Sequence, residues 1–300
     1  MATAAEPRPA SLPLPGGQTA ATVRLHPLLV ARLAAPPTYV RRRESRFEGL
    51  RALGVGVARE DYVDIPIVAF LVEHPAAGHL LIDTGFHGSV AIEPEQAMGR
   101  FGGLVFKDVR MSSDDAVPAQ LRALGVAPEA VRTVIMTHLH SDHASGIAHF
   151  PEATFIVCDE EWEAAVAGRE TNGYIRRQFD HGFDYRLIDF DGPEADSFAS
   201  FGRALDLFGD GSVVLVSTPG HTDGHLSVVL RLANREALLA GDAIFTMGAL
   251  TDGDIPHRIV DEHRYYRSLR EIELYVEQTP GTLVIPGHDI EAWEGLAAVY

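Results

Sequence analysis

Residues 137–146 read Thr-His-Leu-His-Ser-Asp-His-Ala-Ser-Gly, and positions 138 to 143 hold four groups able to ligate a metal: His138, His140, Asp142 and His143. Residues two apart on an extended chain point the same way, so His138 and His140 can face one site from a strand end. If the chain then turns into a helix, Asp142 and His143 project toward an adjacent site. Three more candidates follow apolar runs: His221 after Pro219-Gly220, Asp242 after Gly241, and His288 after Pro286-Gly287. Five histidines and two aspartates suffice for two metals when one carboxylate bridges, and such ions sit roughly 3.5 to 4 Å apart. A pair of zinc ions lowers the pKa of bound water to about 7, so hydroxide forms at neutral pH and no Ser or Cys nucleophile is needed. A purely structural zinc takes four ligands, not seven, which makes a non-catalytic zinc-stabilised binding protein the weaker expectation.

These groups need strand ends to hold them. Residues 131–136 form an apolar, β-branched run leading straight into the histidine cluster, and residues 213–217, 226–232, 237–239 and 282–285 predict further strands. Residues 65–73 and 79–83 predict a hairpin of buried strands ending in Asp83-Thr84-Gly85, and residues 154–158 another strand. Short helices are expected over 93–98 and 118–123. A helix over 159–167 has acidic residues at its start, and an amphipathic one spans 263–278. Residues 22–32 look strand-like but interrupted by Pro27, and Arg41, Arg42 and Arg43 predict a solvated loop. Residues 1–21, rich in Ala, Pro and Gly, predict a flexible tail without the apolar run of a signal peptide. Strands and helices mix without strict alternation, which favours an α/β sandwich over a doubly wound sheet.

Composition narrows the partners. The 300 residues carry 25 Lys plus Arg against 42 Asp plus Glu, a formal charge of −17, which argues against nucleic acid or an anionic membrane surface. No run of about 18 uncharged apolar residues predicts a membrane span. The single cysteine, Cys158, excludes an internal disulfide framework and fits a cytoplasmic location. Any metal must therefore be held by histidine and carboxylate.

The sequence resembles the metallo-β-lactamase-fold hydrolases and, within them, the N-acyl-homoserine lactonases. The superfamily likeness rests on Asp83-Thr84-Gly85, on His138, His140, Asp142 and His143, and on His221, Asp242 and His288. The likeness to the lactonase branch rests on Glu160-Glu161-Trp162-Glu163-Ala164-Ala165, on residues 218–225 (Thr-Pro-Gly-His-Thr-Asp-Gly-His) and on Gly287-His288-Asp289-Ile290-Glu291. The resemblance implies an αββα four-layer sandwich over residues 22–300, read as one domain because ligands from 138 to 288 must converge. It also implies a first zinc on His138, His140 and His221, a second on Asp142, His143 and His288, and Asp242 between them. Asp142 would pass a proton to the leaving group, and Asp83 would orient a ligand from behind. The implied substrate is a small lactone or ester, best an N-acyl-homoserine lactone, with a glyoxalase II-like thioesterase as the alternative; a homodimer is left open. In lactonases of this branch a tyrosine three residues after the bridging aspartate donates to the substrate. Phe245 stands there in this chain, so the resemblance calls either for another donor, such as Tyr174 or Tyr185, or for a different ester as substrate.

Overall fold

The computed structural model describes residues 4–42, 47–94, 97–99 and 108–300. Its strands divide in chain order into two sheets. The first comprises β1 (Arg8–Pro9), β2 (Arg24–Ala35), β3 (Val63–His74), β4 (Gly78–Ile82), β5 (Val109–Arg110), β6 (Val131–Ile135), β7 (Thr154–Cys158) and β8 (Asp184–Ile188). The second comprises β9 (Asp196–Phe198), β10 (Phe201–Asp206), β11 (Val213–Ser217), β12 (Leu226–Arg231), β13 (Glu236–Gly241) and β14 (Leu283–Pro286). Their spatial orders are β1-β8-β7-β6-β4-β3-β2-β5 and β14-β13-β12-β11-β10-β9.

Successive side chains on a strand point to opposite faces, and here both faces are apolar because both are covered. On β3, Val68, Phe70 and Val72 enter a core shared by the two sheets, while Ile67, Ala69 and Leu71 enter the core on the opposite face. On β11, Val213 and Leu215 face the shared core, and Val214 and Val216 face Leu269, Ile272 and Tyr275 of the helix Glu262–Gln278. Trp162 and Ala165 of the helix Asp159–Ala167 close the outer face of the first sheet. The result is the expected αββα sandwich. Trimming Leu215 to alanine in its central layer should cost about 2–5 kcal/mol.

Two expectations fail for identifiable reasons. Pro27 does not interrupt β2, which runs unbroken past it. The N–H and C=O of Leu25 pair with Tyr300 on the side away from β3, and residue 27 projects its backbone the same way, so the missing N–H faces an edge that needs no donor. Residues 4–21 are not a flexible tail. The backbone amides of Ala4 and Ala5 donate to Asp180, β1 pairs in parallel with β8, Ala10 N donates to Leu187 O at 2.7 Å, and Leu14 N to Leu207 O at 2.7 Å. The edge of β8 carries backbone groups that need partners, and an extended Ala/Pro-rich segment supplies them without forming structure of its own. The helix expected over 93–98 falls partly outside the described residues. Strands β9 and β10 carry no alternation strong enough to be read in advance.

Candidate metal centre

The loops that follow β4, β6, β11, β13 and β14 meet at one edge of the sandwich. Two glycines let them approach. A Cβ on Gly220 (φ 134°) would lie 2.3 Å from the backbone N of Tyr265, and a Cβ on Gly287 would lie 2.5 Å from Asp242 Oδ1. All seven sequence-predicted donors come together here. Three triads have donor atoms mutually within 4.8 Å: His138, His140 and His221; His138, His143 and Asp242; and Asp142, His143 and His288.

His138 Nε2 lies 3.1 Å, and His221 Nε2 3.0 Å, from His140 Nδ1. Three imidazole nitrogens converge in this way when a cation fills the space between them, since tetrahedral zinc–nitrogen bonds of about 2.0–2.1 Å set ligand separations of roughly 3.3 Å. Asp242 reaches both groups: Oδ2 is 3.2 Å from His221 Nε2 and 3.3 Å from His288 Nε2, and Oδ1 is 3.4 Å from His143 Nε2. His143 Nε2 and Asp242 Oδ1 are buried yet have no hydrogen-bond partner among the described residues. Orphaned polar atoms at a wholly buried site cost free energy unless a cation satisfies them, so the donor set fits two divalent ions.

Four of the five imidazoles have their other nitrogen tied down, which fixes ring orientation and tautomer. His138 Nδ1 faces Thr137 Oγ1 at 3.1 Å. His143 Nδ1 bonds Asp83 Oδ2 at 2.7 Å, His221 Nδ1 bonds the carbonyl of Arg258 at 3.0 Å, and His288 Nδ1 bonds that of Pro66 at 3.0 Å. Asp83 is therefore what holds His143. It also accepts from the amide and hydroxyl of Thr137 at 2.8 and 2.7 Å, and it adopts a left-handed backbone (φ 57°) that Asp tolerates better than most residues. His225 lies behind Asp242 and accepts from its amide at 2.9 Å; Nδ1 faces Thr218 Oγ1 at 2.9 Å, so the backbone of Asp242 is held by a neutral, hydrogen-bonded ring.

Electrostatics divide the histidines. Burial, reinforced by neighbouring imidazoles, holds His138 and His140 well below the usual histidine range, and burial brings His221 to about 4 and His225 to about 3. Burial opposes charge on His143 too, but Asp83, Asp242 and Asp142 outweigh it and hold that ring well above its usual range. Burial likewise disfavours the carboxylate of Asp242, yet His288, His143 and His221 keep it ionised. Asp142, its side chain 13% exposed, is the most open of the donors.

Glu161 is a residue of this site that the sequence reading did not single out. It is completely buried and accepts from Leu139 N at 2.8 Å, Tyr174 Oη at 3.1 Å and Gly224 N at 3.3 Å, tying the loop of His138 and His140 to that of His221. Burial raises its pKa. A signal existed: an acidic residue four positions before Ala165, on the apolar side of its helix, needs donors waiting for it.

The expected replacement donors are engaged elsewhere. The Tyr174 hydroxyl is spent on Glu161, although its ring lies 4.9 Å from that of His140. Tyr185 is sealed in the core, where it donates to the carbonyl of Phe179 and packs on Phe155 and Trp162. Phe245 contributes only a ring, 4.8 Å from His288 and 5.4 Å from His221. Arg41 and Arg42 lie in the expected exposed loop, where Arg41 pairs with Asp254 and Arg42 with Glu262 and Glu48, while Arg43 lies outside the described residues. Cys158 is buried and free, its thiol pushed up by desolvation, as befits a packing residue. No helix among the described residues is long and apolar enough to cross a membrane.

An αββα sandwich with seven His and Asp donors converging on its edge defines the class of dinuclear metal-dependent hydrolases. The chain belongs to the metallo-beta-lactamase superfamily, whose family model matches residues 63–288. It is 36% identical to the N-acyl homoserine lactonase AttM of Agrobacterium fabrum, over 78% of this chain and 85% of that one. It is also 28% identical to an N-acyl homoserine lactonase of Bacillus cereus, with the same coverage of 78% and 85%. In fold it matches an N-acyl homoserine lactone hydrolase solved with N-hexanoyl-L-homoserine at its catalytic metal centre, with a TM-score of 0.72 at 24% identity over 92% of this chain and 97% of the other.

Proposed function

We propose that this chain is a cytoplasmic dinuclear-zinc hydrolase that opens the ring of N-acyl-homoserine lactones, with residues 22–300 as its catalytic domain and residues 4–21 docked along it. The observation that carries the reading is Asp242, whose two carboxylate oxygens reach the donors of both triads. The named activity of the AttM relative supports the substrate class. In this reading His138, His140 and His221 hold one ion, Asp142, His143 and His288 the other, and Asp242 bridges them.

Zinc bound there would supply hydroxide at neutral pH and polarise an ester carbonyl. The chain does the rest. Asp83, the Arg258 carbonyl and the Pro66 carbonyl keep three imidazoles aimed inward, and the buried surroundings strengthen every charge interaction at the centre. Hydrolysis adds water across the acyl–oxygen bond, so the ring oxygen must leave as a hydroxyl. Asp142, the donor most open to an incoming molecule, passes it the proton.

The test is a substrate panel read by acid release, run on protein carrying about two metals per chain. Acyl-homoserine lactones should be cleaved faster than simple γ- and δ-lactones and faster than glutathione thioesters. Fully loaded protein that leaves every lactone intact but cleaves thioesters would replace this reading with the thioesterase one.

A further inference from the structure

We propose that Tyr39 supplies the phenolic donor that meets the substrate at this metal centre, from a wall of the mouth built by residues 37–42 and 254–258. The inference rests on the hydrolase reading above and adds a residue to it. It is carried by placement. The ring of Tyr39 packs at 6.0 Å against that of Phe245, which in turn lies against the imidazoles of His288 and His221. Tyr39 therefore stands one ring removed from the donors.

The wall is rigidly stitched. Tyr39 O accepts from His257 N at 3.0 Å, Arg42 N donates to Ile255 O at 2.8 Å, Arg41 pairs with Asp254, and the next carbonyl along, that of Arg258, takes the proton of His221 Nδ1. The position of Tyr39 is thus coupled through His257 and Arg258 to that of His221. Its hydroxyl has no hydrogen-bond partner among the described residues, whereas the hydroxyls of Tyr174 and Tyr185 are both engaged. The phenol lies in the field of the centre. Desolvation, then Asp142, raises its pKa, Arg258 lowers it and Asp242 raises it again, so it stays a protonated donor at any working pH. A hydroxyl in this place can hydrogen-bond the carbonyl or ring oxygen of an ester held over Asp142 and Asp242, the role that the phenyl ring of Phe245 cannot fill.

Tyr39→Phe keeps the ring and removes only the oxygen. With zinc loaded, it should retain two metals and the wild-type melting temperature while kcat falls roughly 10- to 100-fold. Binding of a non-hydrolysable acyl-homoserine lactam, measured by calorimetry, should weaken by about 3- to 10-fold, the equivalent of one hydrogen bond. Adding Phe245→Tyr to this variant should recover part of the lost rate. The inference is overturned if Tyr39→Phe keeps kcat within twofold and binds the lactam as the wild type does. If the wild type opens no lactone, the proposed substrate falls separately, and the comparison is made on whichever ester of the panel it does cleave. A wild type that cleaves no ester overturns both.

Discussion

The floor and the mouth of the metal centre are built by different means. On the floor, the donors are nearly all sealed from solvent and the rings of His143, His221 and His288 are fixed from behind, so the chemistry is set before anything binds. At the mouth, position depends on ion pairs between loops, such as Arg41 with Asp254, Arg42 with Glu48 and His257 with Glu48. Phe47, Leu50 and Leu53 stand largely exposed beside them. Exposed ion pairs contribute little, typically under about 1 kcal/mol each, whereas a broken buried network costs several times that. The floor should accordingly govern whether the enzyme works, and the mouth what it works on.

The largest effect should come from the floor. Asp242→Asn keeps the shape of the bridge and removes its charge from between two triads, so metal content should drop and turnover should fall at least about 1,000-fold, measured by metal analysis and rate together. Retention of two tightly bound metals by this variant would contradict the bridging role.

Asp83→Asn should act next in size. It leaves His143 in place but weakens what orients and charges it, so metal affinity should fall by about 10- to 100-fold by chelator competition. The same pair sets a pH dependence in the metal-free protein. The raised pKa of His143 means that a proton must leave before a metal can bind, so metal uptake should release protons and affinity should rise with pH through that range. Calorimetry in buffers of different ionisation enthalpy checks the sign, and Asp83→Asn should reduce the number of protons released.

This contrast also explains what the sequence could tell. Spacing alone placed His138, His140, Asp142 and His143 at a strand end, because a strand and a turn fix where such residues point. His221, Asp242 and His288 were legible for the same reason, each following an apolar strand. The continuous apolar runs of β3, β11, β12 and β13 were readable as buried strands, since both faces are covered. Glu161 was harder, because its three donors come from three separate segments. Tyr39 and the docked residues 4–21 were not legible, because what gives them a role is a surface assembled from distant parts of the chain: Ile255 and His257 for the one, β8 and Leu207 for the other.

A smaller effect tests that last point. The carboxylate of Asp210 accepts from the amides of Gln18 and Ser212 and faces His74, which together bring its pKa down to about 2 against the cost of burial. A depressed carboxylate stabilises the fold above its unfolded pKa, near 3.9, and that contribution fades as pH falls toward about 2. Asp210→Asn should lower the melting temperature at neutral pH and flatten its decline between roughly pH 4 and 2, with kcat at pH 7 unchanged.

At the mouth, the smallest change is expected from Leu53→Ser, which removes an exposed apolar side chain remote from every donor. It should leave metal content and kcat as they are and alter KM for long acyl chains by about threefold or less. A loss of kcat instead would mean that floor and mouth are not separable.

The central claim is that two metals, held by seven donors around Asp242, make this chain a lactone hydrolase. The most direct measurement titrates zinc into metal-free protein while following hydrolysis of an acyl-homoserine lactone by acid release. The account predicts activity that saturates at two zinc ions per chain, with one proton released per ring opened. Saturation at one ion, or a fully loaded protein that leaves the lactone closed, would contradict it.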